Sequence, residues 1–135
     1  MDENFLSSPQ PPDIADLEPG EAEALLKAAP NKGFAVFRLD GAAMRDKEAL
    51  MTHAAAALAF PGDFGRNWDA MIDYLGDMAT VHKKDRILIY VDGSGAMAAA
   101  APGLYKDLRE TCACACDNAR QWSRGRVILK FVFAA

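Results

Sequence analysis

Two aspartates four residues apart are the first feature of this sequence that could do chemistry. In FPGDFGRNWDAMIDYL, Phe60 to Leu75, Asp69 and Asp73 follow a Pro-Gly and a Phe-Gly turn. On a helix that spacing sets them side by side, where like charges cost a few tenths of a kcal/mol. Paired carboxylates can serve as a general acid and base, as ligands for a divalent cation, or as an anionic surface for a cationic partner. The first role needs one carboxyl desolvated, so that its pKa rises. The second needs more oxygen ligands, and the sequence fixes no third acid for it. A solvated helix face is the plainest reading of the pair.

The surroundings sharpen the charge. From Asp63 to Asp77 the chain carries four aspartates, at 63, 69, 73 and 77, against one arginine, Arg66. This island sits in a body of the opposite sign. Residues 1–30 hold seven acids and one lysine, a net of -6, so the other 105 residues, with 12 acids and 14 bases, carry +2. Local sign therefore says more about partners than the net charge of -4 does.

Other chemistries find little support. No glycine-rich phosphate loop, HExxH or GxSxG pattern is present, and His53 and His82 stand in no triad or metal spacing. The cluster CACAC places cysteines at 112, 114 and 116. On a helix Cys112 and Cys116 share a face while Cys114 points elsewhere, and no nearby His or further Cys completes a zinc set. These read as small buried side chains of a reduced protein. No cofactor, metal or catalytic residue is expected. No apolar run reaches membrane length and the acidic N-terminus lacks signal-peptide order, so a cytoplasmic protein is expected.

Several elements must position the aspartates. Asn67 is suited to cap a helix that begins at Trp68. Trp68, Met71 and Leu75 form its core stripe, and Asp69, Ile72, Asp73 and Gly76 point the other way. Asp46 caps an earlier helix that ends before Pro61-Gly62. GFAVFRLDG at 33–41, RILIYVD at 86–92 and VILKFVF at 127–133 read as strands, the second a buried parallel one. A small-residue loop after RILIYVD leads to a long helix over 104–123, which Gly125 ends. The order predicts an α/β fold, a three-stranded parallel sheet packed with helices. Residues 1–32 read as an acidic extension, disordered over 1–12 and with a short helix near 21–29, docked or loosely attached; residues 33–135 form the domain.

LAFPGDFGRNWDAMIDYLGD, Leu58 to Asp77, strongly resembles the core motif of the barstar family, intracellular inhibitors of barnase-type secreted ribonucleases. The matching positions are Pro61, Phe64-Gly65, Asn67, Trp68, Asp69, Ala70, Met71, Ile72, Asp73 and Leu75. The resemblance extends over 33–135. It implies a binding module, not an enzyme, whose acidic helix and preceding loop plug a nuclease active site. The partner-binding set it implies is Asp63, Phe64, Gly65, Asn67, Asp69, Ile72, Asp73 and Asp77, with Asp69 and Asp73 standing in for RNA phosphates. The partner it implies is a basic ribonuclease or related toxin, with no direct contact to nucleic acid or membrane; a different basic protein is the second reading. The sequence departs from the family prototype at the rim: Asp63 replaces a tyrosine, Ile72 and Met78 replace aromatics, and a glutamate of the last long helix falls near Arg120.

Overall fold

The computed structural model describes residues 4–135. Its centre is a sheet of strands β1 (Ile14–Leu17), β2 (Ala35–Asp40), β3 (Arg86–Asp92) and β4 (Ile128–Ala134), in the order β1-β4-β3-β2 and parallel throughout. Helices α1 (Asn4–Ser7), α2 (Pro19–Ala28), α3 (Lys47–Ala57), α4 (Trp68–Gly76), α5 (Met78–His82), α6 (Ser94–Ala100) and α7 (Pro102–Trp122) pack on it.

Why β3 and β4 are nearly all apolar follows from their place in the middle. Every residue of β4 is buried, as are all of β3 but its two ends, because helices cover both faces. Register lines Ile14, Phe131, Ile89 and Phe37 in one row across the sheet. That row meets the core built by α3, α4, α5, α6 and α7. Alternate residues, Leu88, Tyr90, Ile128 and Val132, face α1 and α2 on the other side.

The sequence predicts three strands, and the sheet has four. The strand it misses is β1, only four residues long and set among prolines and acids. It docks on the free edge of β4, which would otherwise expose a row of unpaired backbone groups. Its anchor is Asp13. Lys130, in the middle of β4, has a side chain 1% exposed, and its ammonium donates to the Gln10 and Pro12 carbonyls at 3.0 and 2.8 Å and to Asp13 at 3.3 Å. All three N–H groups are thus satisfied, the condition for burying an ammonium. Burial still pulls the lysine below its usual range, with Asp13 pushing the other way. The same carboxylate accepts from Arg120 of α7 at 2.6 Å.

Residues 1–3, part of the segment expected to be disordered, lie outside the described residues. In the rest of that segment α1 sets Phe5 and Leu6 into the second core cluster, and residues 9–12 run along the Arg120 and Lys130 side chains. Helix α2 is docked: Ala22, Leu25 and Leu26 are buried, and Glu23 pairs with Arg38 of β2 at 3.2 Å. The small-residue stretch expected as a loop after β3 forms α6, whose Met97 enters the core. Alanine is the best helix former, so its run propagates a helix once Pro102 is left outside it.

Candidate functional site: the crest of α4

Asn67 starts α4. Its side-chain oxygen accepts from the Ala70 N–H at 2.8 Å, and its amide donates to the Gly65 carbonyl at 3.2 Å. One residue thereby caps the helix and fixes the turn before it. Met71 and Leu75 are buried, each contributing about 1.5–3 kcal/mol. That outweighs the few tenths lost to like charges one turn apart, so the core carries the cost of the aspartate pair.

Asp69 and Asp73 stand on the solvent side. Among the described residues neither carboxylate makes a hydrogen bond or ion pair. Asp69 lies in the first turn, where the helix dipole favours an anion. The one arginine of the island is turned away. Arg66 takes a left-handed φ of 52°, and its guanidinium donates to the Thr52 hydroxyl on α3 at 3.3 Å.

The other expected contact residues divide into two groups. Gly65 and Asn67 are exposed, while Phe64, Ile72 and Asp77 are half-buried. Phe64 packs inward, its ring 5.0 Å from Phe60 and 5.5 Å from Tyr74 between centroids. Phe60 also stacks on Tyr74 at 5.4 Å. This cluster holds the loop against α4. Asp63 accepts from the Tyr74 hydroxyl at 2.7 Å. That bond is the first cause, ahead of burial and the charges of Asp63 and Asp73, of a tyrosine pKa raised above 10.0. Asp77 closes α4, its N–H bonded to the Asp73 carbonyl at 3.1 Å.

The face expected to point outward is narrower than the sequence predicts. Gly76 is buried, and Ile72 turns toward α7. A Cβ at Gly76 would lie 3.0 Å from the Trp122 ring and 3.3 Å from Asn118, so glycine allows α4 and α7 to touch. Met78 is buried. Arg120 is held by Asp13, Asp117 and the Pro9 carbonyl at 2.6, 2.9 and 2.8 Å. Trp122, which sequence reasoning did not single out, is the exposed large hydrophobic residue of the described chain at 55%. Its position at the end of an amphipathic helix, just before Gly125, was the only available signal.

The remaining reactive side chains have local roles. His53 Nε2 accepts from the Asp40 N–H at 2.9 Å, and His82 Nε2 donates to the Leu58 carbonyl at 2.9 Å. Cys112 and Cys116 are buried and Cys114 is exposed; burial raises the first two thiols well above their usual range. Among the described residues no cluster of three or more His, Cys, Asp or Glu could hold a metal ion. No helix among them is long and apolar enough to cross a membrane.

Fold and site define a small parallel α/β domain with an acidic helical crest. The family model described as Barstar (barnase inhibitor) matches residues 34–134. The chain belongs to the barstar family. No curated protein matches it.

Proposed function

We propose that this chain is a ribonuclease inhibitor that blocks the active site of a basic, barnase-type enzyme with α4 and the loop before it. One observation carries the reading: Asp69 and Asp73 are exposed, one turn apart, and among the described residues no cation pairs with either carboxylate. A nuclease groove is cationic because its substrate is a polyanion. An acidic helix fits such a groove as a decoy for phosphates. Opposed fields speed the encounter, a generalisation for which the barnase–barstar complex is itself a standard example. Arginine–carboxylate bonds, desolvated on docking, then hold the complex. The chain performs no reaction in this reading, and the cytoplasm is where such protection is needed.

The other contacts have unequal parts. Gly65 and Asn67 present the rim of the loop directly. Asp63 and Asp77 extend the negative field, and Phe64 stiffens the loop from within. Residues 33–135 form the inhibitor domain, to which residues 4–32 add the edge strand β1 and a cover for the second sheet face.

Titrating the protein into a panel of basic secreted ribonucleases, with RNA cleavage as the readout, tests the reading. Stoichiometric loss of cleavage with at least one enzyme is expected. Binding without loss of cleavage would favour a module for a different basic protein, and no binding to any member would end the proposal.

A further inference from the structure

We propose a second binding site, for a small organic cation of the aliphatic diamine class, in the hollow where residues 4–32 meet the carboxyl end of the sheet. It goes beyond the nuclease reading and does not depend on it. The topology makes the hollow. Strands β1 and β3 flank β4, and the chain leaves them toward opposite faces: α2 follows β1 onto one, and α6 follows β3 onto the other. The end of β4 lies between them. In open parallel sheets such a divergence, outside the carboxyl ends of the strands, is the usual seat of a ligand. Here it leaves about 410 Å³, walled by Leu17, Glu18 and Glu21 on one side and by Ser94, Tyr105 and Phe133 on the other.

Charge selects the occupant. Every charged side chain that lines the hollow is a carboxylate, Asp16 joining Glu18 and Glu21. Arg109, beside it, is spent: it donates to Asp16 at 2.7 and 3.0 Å and to the Tyr105 hydroxyl at 3.1 Å. Glu18 is not matched in this way. It stands at the N-cap of α2, yet its side chain makes no capping bond, and it has no ion pair among the described residues. An anion entering here would meet like charges. The described carboxylates are not gathered closely enough to hold a metal ion.

Ser94 supplies the second observation. It is 5% exposed, and its hydroxyl has no hydrogen-bond partner among the described residues. Its oxygen is not sealed from solvent, and the opening it borders is this hollow. A hydroxyl so enclosed is costly to leave unbonded. An ammonium brings three donors and a positive charge, which satisfies Ser94 and Glu18 together. Tyr105 meets Phe133 edge-on, ring centroids 5.8 Å apart, and these rings offer apolar surface to the methylenes between two ammonium groups.

The full chain is titrated by calorimetry with putrescine and spermidine, with magnesium chloride as the control for bare charge, and amide shifts in NMR spectra locate the binding. Glu18→Gln, Ser94→Ala and the double change Asp69→Asn with Asp73→Asn are compared, each with its melting temperature. Glu18 is exposed, so its variant keeps the test valid even where Ser94→Ala lowers stability. Expected is one diamine per chain, with shifts at Glu18, Ser94 and Gly95. Affinity should fall about tenfold or more in Glu18→Gln, the loss of one charge-assisted bond. It should fall in Ser94→Ala and hold in the double α4 variant. No saturable binding, an equal response to magnesium, undiminished affinity in Glu18→Gln or Ser94→Ala, or a loss confined to the α4 variant would overturn the site.

Discussion

The Tyr74 hydroxyl donates to the Asp63 carboxylate at 2.7 Å, across the loop that leads into α4. Of the four aspartates in the island, Asp63 is thus tied to α4, while among the described residues the carboxylates of Asp69 and Asp73 face solvent without a hydrogen bond or ion pair. The bond joins the aromatic cluster of Phe60, Phe64 and Tyr74 in holding the loop. It sets up a pH dependence whose sign is fixed. Tyr74 ionises above 10.0 in the fold, so the folded state holds its proton longer than the unfolded chain. The stabilisation is fully present below that value and is lost as pH rises through the raised folded pKa. Tyr74→Phe should therefore weaken the loop near neutral pH and blunt the alkaline loss of stability. Denaturation at neutral and alkaline pH, with ultraviolet titration of tyrosinate, checks it; an unchanged alkaline profile would refute it.

Asn67→Ala should destabilise the domain by about 1 kcal/mol, the usual loss of an N-cap. It also frees the Gly65 carbonyl, so the loop should exchange its amides faster. Urea denaturation and hydrogen exchange measure both effects.

The clamp on Lys130 predicts unequal losses for the two ends of the Asp13–Lys130 pair. Asp13→Ala leaves an ammonium 1% exposed without its carboxylate, which should cost about 3–5 kcal/mol. Lys130→Met leaves Asp13 its bond from Arg120 but strips the Gln10 and Pro12 carbonyls of their donor, and should cost less, about 1–3 kcal/mol. Equal destabilisation by both variants would mean that the lysine is held by packing alone.

The barstar motif carries most of the site at the level of sequence. Capping by Asn67, the core stripe of Met71 and Leu75 and the exposure of both central aspartates follow from spacing and residue type. What spacing could not show was how α7 narrows the outward face. Gly76 reads as outward by periodicity, yet it is buried because Trp122, 46 positions later, lies on it. The fourth strand was hidden for a related reason. IADL is too short to stand out, and its partner is β4, at the far end of the chain. A lysine inside the apolar run VILKFVF was the trace it left: a buried ammonium needs a carboxylate and carbonyls from somewhere, and residues 10–13 provide them.

Association with a basic nuclease should slow steeply as salt rises, while dissociation changes little. Exposed charges more than a Debye length apart, about 10 Å at 0.1 M salt, are screened, whereas desolvated contacts are not. Stopped-flow association rates over a salt series test this; a flat profile would remove electrostatic steering from the account.

The most direct measurement is the inhibition constant of Asp73→Ala against a ribonuclease that the unaltered protein blocks, taken beside its urea denaturation curve. Loss of roughly thirtyfold or more in affinity is expected, the scale of a hot-spot residue of about 2 kcal/mol. Stability should hold or rise slightly, because a like-charge neighbour of Asp69 is gone. An unchanged inhibition constant in a folded Asp73→Ala protein would contradict the account.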